Sequence, residues 1–146
     1  MYKINIMKKI LLLTLFIPML SFSQEINIED QKNDAIKSAK KWLEKIDNKK
    51  YESSWKNADI LIQNIVKMEQ WESIISPSRE PLGKLISTEI SSSEYHTEMP
   101  GAPDGEYVII IFKSSFKNKE GAIETVTPKK GKDGKWRVAG YYIRYS

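Results

Sequence analysis

The period of the apolar pattern changes once along this chain, close to the Pro81–Leu82–Gly83 segment, and that change constrains the fold more than any other feature. Upstream of it the apolar residues follow helical spacing. From Asp30 to Asp47, Ala35, Ile36, Ala39, Trp42, Leu43 and Ile46 recur at i, i+3, i+4 and i+7, with lysines between them. Glu29 and Asp30 sit where acidic side chains favour a helix start. Asp47–Asn48–Lys49–Lys50 breaks the pattern. Tyr51–Lys56 predicts a short second helix with Tyr51 and Trp55 on one face, and Ala58, Leu61, Ile62, Ile65 and Val66 continue its stripe. A third helix is expected from about Met68 to Ser76, with Trp71, Ile74 and Ile75 inward. Pro77 should end it, because proline lacks a backbone donor and restricts the residue before it.

Downstream the period becomes two. Leu85–Tyr95 is rich in Ile, Ser and Thr, and Tyr107–Phe116 contains the apolar run Val108–Ile109–Ile110–Ile111–Phe112. Ile123–Thr127 alternates, with Glu124 and Val126 on one side. Lys135–Tyr145 alternates too: Trp136, Val138 and Tyr142 against Arg137, Ala139, Tyr141, Ile143 and Tyr145. Turn residues separate the runs at 100–105, 118–121 and 132–135, and Asp133–Gly134 between alternating runs is a strong hairpin signal. The expected architecture is α+β: about three N-terminal helices packed on a curved four-stranded antiparallel meander. Residues 34–146 would form the one domain, with 24–33 as a loose lead-in.

The first 23 residues read differently. Met1–Lys9 is short and basic, Ile10–Leu20 is apolar, and Ser21–Phe22–Ser23 places small residues at the −3 and −1 positions of a cut before Gln24. This is the layout of a secretory signal peptide. The apolar stretch falls short of the roughly 20 residues that a spanning helix needs, so no stable membrane anchor is expected after cleavage. Met7 would serve as an alternative start. The expected destination is the periplasm or the medium. Lys3, Lys8 and Lys9 fall in this segment and no acid does, which leaves 20 basic residues against 19 acidic in the mature chain. The formal charge of +4 therefore does not describe the mature chain, and nucleic acid is not an expected partner. The chain has no cysteine, which excludes disulfides, thiolate nucleophiles and lipid attachment to a cysteine.

Several stretches in order carry a family resemblance. They are Ala39–Leu43, Tyr51–Trp55, Trp71, Arg79–Glu80–Pro81–Leu82–Gly83, Pro100–Gly101–Ala102–Pro103–Asp104–Gly105–Glu106–Tyr107–Val108, Glu124–Thr127, and Trp136–Arg137–Val138–Ala139–Gly140–Tyr141–Tyr142–Ile143. Across about residues 34–145 the chain resembles a family of exported bacterial proteins, domain of unknown function 4019. That family is similar to the cone-shaped, nuclear-transport-factor-like (cystatin-like) α+β group, which implies helices and a curved sheet around a pocket. No activity is established for it, so the resemblance implies a fold and a compartment, and no catalytic residues.

The candidate site residues come from the residues themselves. A lone histidine, His96, and the absence of HExxH spacing give no expectation of a metal site or cofactor. As weak catalytic candidates the chain offers His96 as a base near neutral pH, Asp104 in the 100–105 loop, and Glu124. Each has a structural alternative: a surface histidine, a turn aspartate bonding its own backbone, and a core ion pair. Arg79 would hold a ligand carboxylate or phosphate, or else pair with an internal carboxylate such as Glu124 or cap helix-end carbonyls. Trp55, Trp71, Tyr107 and Tyr141 would line a ligand cavity or fill the core. No nucleophile elbow surrounds any serine. Two readings remain. One is a non-catalytic module that binds a small apolar molecule or assembles through its sheet face as a homodimer. The other is a small pocket enzyme of the isomerase or hydrolyase type.

Overall fold

The computed structural model describes residues 20–145, with side chains from residue 27 onward. The elements run α1 (Leu20–Asp47), α2 (Tyr51–Lys56), α3 (Ile60–Ile65), α4 (Met68–Arg79), a 3-10 turn (Glu80–Leu82), then β1 (Leu85–His96), β2 (Tyr107–Phe116), β3 (Lys119–Lys130) and β4 (Trp136–Arg144). The four strands form one antiparallel sheet in the order β1-β2-β3-β4. The α+β arrangement of helices followed by a meander is thus the observed one. Most of the expected signal peptide, residues 1–19, lies outside the described residues.

The inner face of the sheet meets the helices. Val108, Ile110, Phe112, Ser114 and Phe116 of β2 alternate inward and are buried, as do Ala122, Glu124, Val126 and Pro128 of β3. Against them α1 packs Ala35, Ala39, Trp42, Leu43 and Ile46, the stripe that its periodicity predicts. The alanines let the helix approach the sheet closely, and the larger residues fill the space at its flanks. Trp42 stacks obliquely on Tyr141 and edge-on against Trp71, with ring centroids 5.3 and 6.3 Å apart. A smaller cluster of Leu82, Phe116 and Ala122, with Leu85 and Ile143, closes the far end.

Four expectations require correction. First, α1 is helical from Leu20, so residues 24–33 are not a loose lead-in. Second, four helices precede the sheet where about three were expected, because the second stripe is cut at Asn57–Asp59. Asp59 caps α3 by accepting from the Leu61 N–H at 3.0 Å. Ile65 of that stripe and Ile74 of α4 face solvent. Third, Pro77 does not end α4. It sits exposed near the C-terminal end, where the Ser73 carbonyl that it leaves without a helical donor belongs to an exposed residue, and the helix runs on to Arg79. Trp71, Ile75 and Arg79 then form a single buried row at four-residue spacing.

The fourth correction concerns β4. Thr127 pairs with Gly140 but Pro128 pairs with Val138, so Ala139 is an extra residue on β4. Proline offers no ladder donor, and the Val138 carbonyl accepts instead from the Asp59 N–H at 2.7 Å. The bulge reverses the alternation. Trp136 and Val138 point inward before it, Tyr141 and Ile143 after it, while Tyr142 turns out and is 63% exposed. Similarly the β2–β3 turn falls at Lys117–Asn118, and Gly121, at φ 73°, lies inside β3 beside a register shift.

Candidate functional site

A cavity of about 290 Å³ opens between the C-terminal half of α1 and the inner side of β1. It exists because β1 is poorly covered: two register shifts, at Ile86 and Ser91, break its alternation, and most of its residues are exposed. Leu43, Leu85, Ile90 and Phe112 supply apolar walls, and Glu124 lies in the lining although it is only 2% exposed. Glu124 owes this position to the alternation of β3, which aims it inward between Ala122 and Val126.

Two hydroxyls hold the Glu124 carboxylate. Ser114 Oγ donates to Oε1 and the Tyr141 hydroxyl donates to Oε2, each at 2.7 Å. With its own proton spent on Glu124, Ser114 accepts from Thr88 Oγ1 at 2.9 Å, so a chain of hydroxyls reaches the mouth at β1. Each carboxylate oxygen receives one bond from these partners and keeps a second acceptor direction. Burial pushes the Glu124 carboxyl above its ordinary value, and nearby Asp47 adds to this, while the two hydroxyls and Arg79 oppose it. Burial and the adjoining Glu124 likewise raise the Tyr141 phenol, so it remains a donor.

Asp47 lines the same cavity from the end of α1. The Arg79 guanidinium donates through Nη2 to Asp47 Oδ1 and through Nη1 to the Gly83 carbonyl at 3.1 Å. Its Cζ lies over the Phe116 ring, 4.0 Å from the centroid. The partner of Arg79 is thus Asp47 rather than Glu124, and the arginine also caps a carbonyl of the turn after α4. Gly83 takes φ 76°, which only glycine adopts freely, and Asn118 crowds the place a Cβ would occupy. Burial raises the Asp47 carboxyl too, against the pull of Arg79.

The titration of Glu124 gives a testable expectation. A carboxyl whose pKa is raised on folding favours the native state most below its unfolded value, near 4.5, and that contribution is lost as pH rises through the folded pKa. Each pKa unit is worth about 1.4 kcal/mol. Glu124→Gln is neutral at all pH, and its amide oxygen accepts from one hydroxyl while its NH2 donates to the other, so the fall in unfolding midpoint from about pH 4 to 8 should shrink in this variant. The slope that persists reports Asp47. A variant with the full wild-type slope would refute the assignment.

The other sequence-predicted residues lie elsewhere. Trp71 donates to Ser54 Oγ at 2.8 Å and Trp42 to the Ser54 carbonyl at 2.9 Å, while Trp55 donates to the Val66 carbonyl at 2.8 Å. These indoles pin the helices together in the core. Tyr107 is buried under Lys129 and donates to the Pro103 carbonyl at 2.5 Å, which ties the 97–106 loop to the sheet. Asp104 is exposed in that loop. His96 ends β1 with Nε2 3.4 Å from Glu94 Oε2. Of the sequence-predicted residues the structure therefore places Glu124 in the cavity lining, sets Tyr141 and Arg79 behind it through their bonds to Glu124 and Asp47, and leaves Trp55, Trp71, Tyr107, His96 and Asp104 away from it. Ser114, Thr88 and Asp47 escaped the sequence reading. Ser114 carried a legible signal, a polar residue at an inward position between Phe112 and Phe116. Among the described residues no group of three His, Cys, Asp or Glu side chains is placed to hold a metal ion. No helix among them is long and apolar enough to cross a membrane.

Comparison with curated proteins and with solved structures gives no match. The family described as "Protein of unknown function (DUF4019)" matches residues 38–141, a span that runs from α1 to Tyr141 and includes Asp47, Arg79, Ser114 and Glu124. Over that span, most of its length, the chain belongs to the DUF4019 family.

Proposed function

We propose that this protein is an exported, non-catalytic module that binds a small, largely apolar molecule in the α1–β1 cavity. One observation carries the reading: a buried carboxylate, held by two hydroxyls and with acceptor capacity to spare, lies in the lining of an apolar-walled cavity. Such a site suits a ligand with an apolar body and one hydroxyl or amine donor, since the donor meets Glu124 and the body displaces water from Leu43, Ile90 and Phe112. Catalysis of the isomerase or hydrolyase kind has less support. It needs a second titratable group held against Glu124; of the others in the lining Asp47 is engaged by Arg79, and Lys40, Glu44 and Glu89 are exposed to solvent and make no bond to Glu124.

Native mass spectrometry of the protein purified from an exporting host tests the reading. The expected species has lost residues 1–23 and carries a reproducible small adduct. Ile90→Trp, which fills the mouth of the cavity, should abolish the adduct without changing the unfolding midpoint. An adduct that survives this substitution, or a clean apo species, would count against the site.

Assembly is the second half of the reading, and the outer face of the sheet supports it. Tyr142 stands exposed beside half-buried Ile109, Ile111 and Ile123, with no helix of the described residues over them. Two copies related by a two-fold axis would cover this apolar face. Sedimentation at micromolar concentration should give a dimer for the wild type and a monomer for Tyr142→Glu. A monomeric wild type would end the idea.

A further inference from the structure

Across α1 from the Glu124 cavity lies a wider groove, about 540 Å³, between that helix and the β3–β4 hairpin. Its charge is predominantly positive. Lys37, Lys41 and Lys45 line it from α1, and Lys135 and Arg137 line it from the hairpin. The three helix lysines are spaced four residues apart, so they share one face and recur about every 6 Å over about 12 Å. None of Lys37, Lys41, Lys45 and Lys135 makes an ion pair with a described residue, whereas Arg137 is held by Asp133. Repulsion among unpaired lysines costs stability, and a row of this kind is relieved when an anion lies along it.

Apart from a second amide N–H on Asn57, the remaining polar side chains of the groove offer acceptors. Asp34 is a carboxylate at one end. Ser38 Oγ spends its proton on the Trp136 carbonyl at 2.7 Å, and Asn57 spends an amide proton on the Ser53 carbonyl at 2.8 Å, which leaves an oxygen acceptor on each. Acceptors among lysines suit a ligand in which hydroxyl donors alternate with acid groups. They do not suit a bare phosphate chain, which has no donors and would be repelled by Asp34. Trp42 and Trp136 lie beneath the groove but are 2% and 8% exposed, so no aromatic face is open for a base to stack on.

We infer that this groove binds an acidic polysaccharide, a sugar chain carrying carboxylate or sulfate groups. The acid groups meet Lys37, Lys41, Lys45 and Lys135, and the sugar hydroxyls donate to Asp34, Ser38 and Asn57. None of these residues serves the Glu124 cavity, so the inference stands or falls apart from the small-ligand reading.

Fluorescence anisotropy of the purified protein with a labelled heparin-derived octasaccharide tests it, with neutral dextran and a single-stranded DNA of similar charge as comparison probes. The expected result is binding to the acidic oligosaccharide that weakens with salt and is absent for dextran. The double variant Lys41→Glu/Lys45→Glu should lose about tenfold or more in affinity. Its circular dichroism spectrum and unfolding midpoint should match the wild type, since both side chains lie on the helix surface. Lys113→Glu, on the opposite face of the sheet, should bind as the wild type does. Absence of binding, equal loss in the Lys113→Glu protein, or tighter binding to the DNA would each overturn the inference.

Discussion

Replacing Trp42 with alanine should destabilise the fold by about 3–5 kcal/mol, the range found for large aromatic side chains cut from a packed core. Three losses combine at this position. The indole lies against both Trp71 and Tyr141, so its removal leaves a void where α1, α4 and β4 meet. Its Nε1–H satisfies the Ser54 carbonyl, and Ser54 in turn anchors Trp71. Tyr141 would also lose the ring that fixes its orientation toward Glu124. Domains of this size are stable by about 5–15 kcal/mol, so the variant should unfold at much lower urea with a similar slope. Trp55→Phe provides the contrast. It keeps most of the packing at a half-buried site and loses one hydrogen bond to the Val66 carbonyl, at a cost of about 1 kcal/mol. Equal losses in the two variants would show that Trp42 does not hold the helices to the sheet.

Arg79→Met should be the second severe substitution, at about 3 kcal/mol near neutral pH, because it removes one partner of a largely buried ion pair. The Asp47 carboxylate would then stand beside Glu124 without its compensating cation, and the Gly83 carbonyl would lose its donor. The sign of the pH dependence follows. Arg79 pulls the Asp47 pKa down, so without it the folded pKa rises further, and protonation below about pH 4 removes most of the penalty. The destabilisation should therefore be smaller in acid than at neutral pH. A second substitution, Asp47→Leu, in the Arg79→Met background should recover much of the loss, and the double-mutant cycle should report a coupling of about 1–3 kcal/mol. An additive cycle would mean that Arg79 acts through its contact with Phe116 and its bond to the Gly83 carbonyl rather than through Asp47.

What the sequence determined is set by local period and turn chemistry. The 3.6-residue recurrence of Ala35, Ala39, Trp42, Leu43 and Ile46 suffices to predict α1 and its buried face, and Asp133–Gly134 suffices for the last hairpin. Glu124 was legible as a carboxylate that shares a strand face with Val126. The fate of the other candidates depended on contacts distant in sequence. Pro77 could be read as a stop, yet α4 continues through it and carries Arg79 onto the row of Trp71 and Ile75, where Asp47 waits 32 residues upstream. Tyr141 and Tyr142 are adjacent and chemically alike. Which of them reaches Glu124 was decided by the bulge at Ala139, where Pro128 gives no ladder donor and the Asp59 N–H takes the Val138 carbonyl. Strand alternation has period two, so one extra residue exchanges the faces of everything after it. A sequence fixes that period by itself, but its phase is settled only when the partner strand and the helix cap come to lie beside it.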